Sequence, residues 1–185
     1  MAETPEASDE TLFAAWRAGD ETACETLFRR YQGPLGRHLA RMLGDPAAAE
    51  DVVVETFLRL HRHRDRVRPG QALRPLVWTI ARNLARNRLR AQRLWRWVPL
   101  RAAEPERPVP PPAAGSGEIQ QRVTAAFAAL PLAQREAASL RLLGELSLEE
   151  IAEVTGVPLG TVKSRLFHAL HRLRVLLADL DPEKE

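Results

Sequence analysis

Residues Leu146 to Arg174 read LSLEEIAEVTGVPLGTVKSRLFHALHRLR, two helices joined by a tight turn. Ser147 and Glu150 stand in the S-x-x-E spacing of a capping box, where each side chain satisfies a backbone N–H at the other's position, so the first helix starts there. Thr155-Gly156-Val157 makes the turn, and Gly156 can take a positive φ at no steric cost. Pro158 suits the first turn of the second helix. Small Ala152, the Gly156 turn and apolar Val162 supply the close approach that two crossed helices need, which identifies a helix-turn-helix.

At about 100° per residue the second helix separates its faces. Val162, Leu166, Leu170, Leu173 and Leu177 cluster on one side and are expected to face the core. Opposite them lie Ser164, Phe167, His168 and His171, flanked by Lys163, Arg165, Arg172 and Arg174. Ser and His can hydrogen-bond base edges, Phe can meet a thymine methyl, and Lys and Arg suit phosphates. This face is expected to enter a major groove.

Ahead of that motif, Ile119, Val123, Phe127 and Leu130 form one apolar helical stripe and Leu132, Ala137, Leu140 and Leu143 another, divided at Pro131 and closed by Gly144. Residues 98–117, VPLRAAEPERPVPPPAAGSG, hold six prolines and end in Gly-Ser-Gly. Such a composition cannot bury a core, so the segment reads as an extended, flexible linker. Upstream of it the caps Ser8 or Asp9, Asp20 and Asp45-Pro46 start helices, while Gly19, Gly33-Pro34 and Gly44 end them. The helix after Pro46 turns Ala49, Val52, Val53, Thr56, Phe57 and Leu60 inward and Asp51, Val54, Glu55 and Leu58 outward. Two apolar residues four apart among outward charges suggest a partner. After a loop over 61–74, a helix from Pro75 places Leu76, Ile80, Leu84 and Trp78 inward, with Arg82, Asn83, Arg86, Asn87, Arg90 and Arg93 on its other sides. The fold class is therefore all-α, in two small helical domains.

Charge is unevenly distributed along the 185 residues, whose net charge is +3. Residues 1–97 carry 17 basic and 12 acidic groups, residues 118–185 carry 8 and 10. No acid occurs between Asp65 and Glu104, where arginines accumulate, and a merely solvated helix usually mixes signs. That stretch is an electrostatic footprint for a polyanion. The single cysteine, Cys24, makes no internal disulfide and reads as a small core filler in a reducing compartment. No apolar run approaches a membrane span, and the N-terminus lacks the order of a signal peptide, so direct membrane insertion is not expected. The five histidines lack metal-ligand spacing with Cys or carboxylates, and no phosphate loop or nucleophile motif is present, so neither metal, cofactor nor catalysis is expected. A stand-alone helix-turn-helix regulator is the competing reading; it would need a ligand pocket or dimer seam where this chain has an arginine surface.

Three segments together, LFRRYQGPLGRHLARMLGDPAAAEDVVVETFLRL, PLVWTIARNLARNRLRAQR and the opening stretch, resemble the extracytoplasmic-function (ECF) group of bacterial RNA polymerase sigma factors. The resemblance implies a region 2 domain over residues 1–97, a linker over 98–117 and a region 4 domain over 118–185. It implies binding to core RNA polymerase through its β′ clamp and β subunit, with Asp51, Val54, Glu55 and Leu58 on the clamp. It further implies capture of unpaired minus-ten bases by Arg68, Arg74, Trp78, Asn83, Arg86, Asn87 and Arg90. The minus-thirty-five element of promoter DNA would be read by Thr161, Lys163, Ser164, Arg165, Phe167, His168 and Arg172. An anti-sigma factor partner and a cytoplasmic setting are also implied. Val54 stands where the family often has Gln, Asn87 where many members have Asp, and His168 where Arg is common.

Overall fold

Side-chain caps set the starts of the first three helices. The computed structural model describes residues 7–68, 70–95 and 117–178, which form eight α-helices and no strand. Helix α1 (Asp9–Arg17) opens on Ser8, whose hydroxyl accepts the Thr11 N–H at 3.2 Å. Helix α2 (Glu21–Leu43) opens on Asp20, which accepts from Thr22 at 2.9 Å, and ends at Gly44 with φ +72. Helix α3 (Pro46–His63) has Asp45 as its cap and Pro46 in the first turn. A short 3₁₀ turn, Arg64–Arg66, follows. The expected loop over 61–74 thus shrinks to the residues between that turn and α4 (Leu73–Trp95).

The break expected at Gly33-Pro34 does not occur: α2 runs through Pro34. An interior proline removes one helical hydrogen bond and costs about 3 kcal/mol. Leu27, Tyr31, Leu35, Leu39 and Met42 form one unbroken buried stripe across it, and burying a single Leu side chain is worth about 1.5–3 kcal/mol. Burial along the stripe outweighs the local penalty. Trp16, fully buried, meets the His61 ring of α3 at 5.7 Å, and Phe28 of α2 meets Phe57 of α3 at 5.1 Å, joining α1, α2 and α3 in one core.

Helix α4 buries Leu73, Val77, Trp78, Ala81 and Ala85, while Leu76, Ile80 and Leu84 are only half-buried. The expected inward face was centred too far round. Ala81 and Ala85 have the small side chains that permit close helix approach, and the largest residues therefore do not mark the middle of the buried face.

The linker expected over 98–117 lies outside the described residues except for Gly117. Beyond it come α5 (Glu118–Ala128), α6 (Leu132–Leu142), α7 (Leu148–Thr155) and α8 (Leu159–Leu176). The capping box at Ser147 is present in both directions: the Glu150 N–H donates to Ser147 Oγ at 3.0 Å, and the Ser147 N–H donates to Glu150 Oε2 at 2.7 Å. Gly156 takes φ +67. Two core assignments change. Ile119 is 65% exposed, and Leu170 is 44% exposed while neighbouring Ala169 is fully buried. Ala169 and Leu173 pack with Phe127, Leu130 and Ala138 of α5 and α6, a contact that favours a small residue at the crossing.

Separate cores in the two blocks were the expectation, yet one apolar cluster runs through both. Leu35, Leu39, Val77 and Trp78 of the N-terminal block share it with Ala137, Leu140, Leu146, Ile151 and Val162 of the C-terminal block. The C-terminal block is docked on α2 and α4. Cys24 is half-buried rather than fully buried, and burial raises its thiol pKa, which keeps it in the unreactive protonated form.

Candidate nucleic-acid and polymerase interfaces

The outward face of α3 is as expected from its pattern. Val54 and Leu58 remain 49% and 45% exposed. Asp51 receives Arg88 Nη2 from α4 at 3.2 Å, with 69% of its own side chain still open. Glu55 pairs along the helix with Arg59 at 3.3 Å and Arg62 at 3.7 Å. Such exposed pairs contribute about 0.2–1 kcal/mol each, so this face costs the fold little to change.

On α4 the structure divides the expected strand-binding residues into two groups. Arg68, Asn83, Asn87 and Arg90 are exposed. Arg74, Trp78 and Arg86 instead lie at the seam with the C-terminal block. Arg74 Nη2 donates to the Gly144 carbonyl at 2.6 Å and its Nε lies 3.7 Å from Glu150. Trp78 is 1% exposed and meets the His38 ring at 5.4 Å. Gly144 lies so close that a Cβ there would stand 2.7 Å from the indole. Trp78 is covered in this conformation, and contact with a base requires the two blocks to separate.

Glu136 is the centre of the seam and is not among the site residues expected from the sequence. It is 2% exposed, receives Arg82 Nε at 2.8 Å and has Arg86 Nη1 3.5 Å from its second oxygen. Nearby, His38 Nδ1 and Ser139 Oγ are 2.7 Å apart, and Arg41 Nη1 donates to Thr124 Oγ1 at 2.6 Å while its guanidinium lies over Phe127. Glu136 carried a legible signal: it falls on the Leu132, Leu140, Leu143 stripe of α6, and an acid on an apolar stripe must find a cation.

Burial of His38 at the seam is expected to make docking pH-dependent. Burial first, and the charge of Arg82 second, lower its pKa from 6.5 to about 3, so the docked ring is neutral. Across the seam it meets Ser139, within its own block it meets Trp78, and the charge that acts on it is that of Arg82, which pairs with Glu136. Docking strength is fully present above the ordinary histidine value and is lost as pH falls below it. Going from about pH 7.5 to about pH 5.5 should weaken docking by about 1.4 kcal/mol, roughly tenfold in the open-to-closed ratio. An interdomain distance measured across this range should rise on acidification, and His38→Gln should remove the step.

On α8, Lys163, Ser164, Phe167, His168 and Arg172 are exposed, while Thr161 and Arg165 are half-buried. Phe167 is 69% exposed and stands edge-on to His168 at 5.5 Å. Behind them Val162, Leu166, Ala169 and Leu173 are buried, so the helix presents one basic, aromatic face to solvent. Among the described residues, no group of His, Cys, Asp and Glu could hold a metal, and no helix is long and apolar enough to cross a membrane.

This combination defines a helical protein with a helix-turn-helix reader and a second, arginine-rich helical face. Family models agree: sigma-70 region 2 matches residues 27–94 and sigma-70 region 4 matches residues 120–173. The chain is 34% identical over 171 residues to the RNA polymerase sigma factor CarQ of Myxococcus xanthus, covering 91% of this chain and 97% of that one. It is also 34% identical over 177 residues to the ECF RNA polymerase sigma-E factor of Escherichia coli K12, covering 88% and 90%. Among solved structures, CnrH in complex with the cytosolic domain of CnrY superposes with TM-score 0.69 at 26% identity, covering 92% of this chain and 97% of that one. The sigma factor RpoE with the anti-sigma factor NepR from Bartonella quintana gives 0.66 at 26% identity, covering 83% and 96%. The chain belongs to the ECF group of the sigma-70 family, transcription initiation factors that direct RNA polymerase to promoters. The stand-alone regulator reading is not favoured, because the arginine-rich block itself matches region 2.

Proposed function

We propose that the two helical blocks divide promoter recognition as follows, with region 2 over 1–97, a linker over 98–117 and region 4 over 118–185. The outward face of α3, with Asp51, Val54, Glu55 and Leu58, docks on the β′ clamp of core polymerase. Arg68, Arg74, Trp78, Asn83, Arg86, Asn87 and Arg90 hold the unpaired strand at the minus-ten element: arginines track the backbone, amides reach base edges and the indole offers a stacking surface. Thr161, Lys163, Ser164, Arg165, Phe167, His168 and Arg172 read the minus-thirty-five element in the major groove. The factor works in the cytoplasm and catalyses nothing itself; bond formation belongs to the polymerase. An anti-sigma factor is a further partner, as it is for the Bartonella protein.

The observation that carries this reading is the pair of basic faces, on α4 and α8, placed on two blocks joined by a Pro-rich segment. Run-off transcription with purified core enzyme tests it. Core-dependent transcripts from a limited promoter set are expected; duplex binding without core and no transcripts would overturn it. Within that assay, Lys163→Ala should weaken binding evenly across promoters, consistent with a phosphate contact, while His168→Ala should change base preference by about 1–3 kcal/mol at its position. Sequence profiles that are identical before and after the His168 change would remove it as a reader.

A further inference from the structure

Glu136 holds the side chains that the strand-binding face needs. Its two carboxylate oxygens take Arg82 and Arg86 at 2.8 and 3.5 Å; Glu136 and Arg82 are largely shielded from water, while the Arg86 side chain stays 36% open. On either side Arg74 is bound by the Gly144 carbonyl and Trp78 is roofed by Gly144, all from the C-terminal block. Two guanidinium groups on one anion, next to an aromatic side chain, is the arrangement that a nucleic-acid phosphate and its base would also satisfy.

We propose that Glu136 is an internal stand-in for a DNA phosphate, and that the free factor is held shut by region 4 lying on its own strand-binding face. The proposal rests on the strand-binding reading of α4. In the closed form Arg82 and Arg86 are satisfied by Glu136, Arg74 by Gly144, and Trp78 is covered. The same side chains cannot serve the promoter strand until region 4 leaves. Separation exposes the arginines and the indole together, so strand capture and closure compete for one surface. Free factor is thereby kept from spending its basic face on unrelated single strands.

The test uses the full chain with Cys24→Ser and a donor–acceptor pair on cysteines placed at exposed Glu25 and Glu153. Glu136→Gln keeps the shape and removes the charge that both arginines share. It should raise the open-to-closed ratio at least about tenfold, since a buried charge-assisted contact is lost. Affinity for a single-stranded oligonucleotide should rise by a similar factor. Glu149→Gln, the same charge change at an exposed site, should do neither. The charge swap Arg82→Glu with Glu136→Arg should return the short distance, which guards against a variant that merely unfolds region 4. A Glu136→Gln chain that stays closed overturns the proposal, and so does one that opens without gaining oligonucleotide affinity over Glu149→Gln. The strand-binding reading is tested apart from this, by Arg86→Ala in holoenzyme. Normal promoter opening by Arg86→Ala sinks that reading even where the closed form is confirmed by the distance measurement.

Discussion

Replacing Val54 and Leu58 together by aspartate is expected to abolish productive binding to core polymerase, weakening it by about 100-fold or more, while the fold persists. Both side chains stand about half exposed on a helix whose opposite face is buried, so neither supports the core. Binding energy concentrates in a few residues near the centre of an interface, and aspartates buried there add the cost of unpaired charge, which is the larger effect here. Fluorescence anisotropy with labelled core reads the affinity, and circular dichroism reads the fold. Unchanged affinity would move the docking face elsewhere; a melted variant would mean these residues hold α3 in place. Asp51→Arg tests the same face more mildly, since among the described residues the Asp51 side chain is paired with Arg88 alone.

Trp78→Ala should have the largest effect on stability. The side chain is fully buried between α2, α4 and the Gly144 turn, and truncating a core aromatic costs about 3–5 kcal/mol. That is a large share of the roughly 5–15 kcal/mol available to a typical domain. Denaturant unfolding of the free protein should show the loss together with an increased interdomain distance. Stability equal to that of the parent chain would contradict the burial. In holoenzyme the same change should impair promoter opening, because the uncovered indole is then a stacking surface for an unpaired base.

The local pieces of this structure were legible because their signals are local. Asp20, Asp45, Ser147, Gly44 and Gly156 act within a few residues, and each caps or turns the chain where its chemistry requires. The exposed faces of α3 and α8 were legible for the same reason, since periodicity alone separates charged from apolar sides. Pro34 misled because its penalty is local while the compensating stripe from Leu27 to Met42 is tertiary. Ala169 takes the buried place expected for Leu170 because helix crossings select for size as well as apolarity. The seam was hidden for a deeper reason. His38 meets Ser139 and Arg82 meets Glu136 across 101 and 54 residues of sequence, and no periodic pattern reports such a pairing. Only the misplaced acid at Glu136, set against an acid-free arginine stretch, hinted at it.

Site-specific photocrosslinking in a promoter-bound holoenzyme tests the division of labour between α4 and α8 most directly. Asn87 and His168 are both exposed, so a photoreactive residue at either position leaves the core untouched. The account predicts crosslinks from position 87 to the unpaired strand at the minus-ten element and from position 168 to duplex bases at the minus-thirty-five element. Crosslinks from both positions to one duplex segment, or none from position 87 after opening, would contradict it.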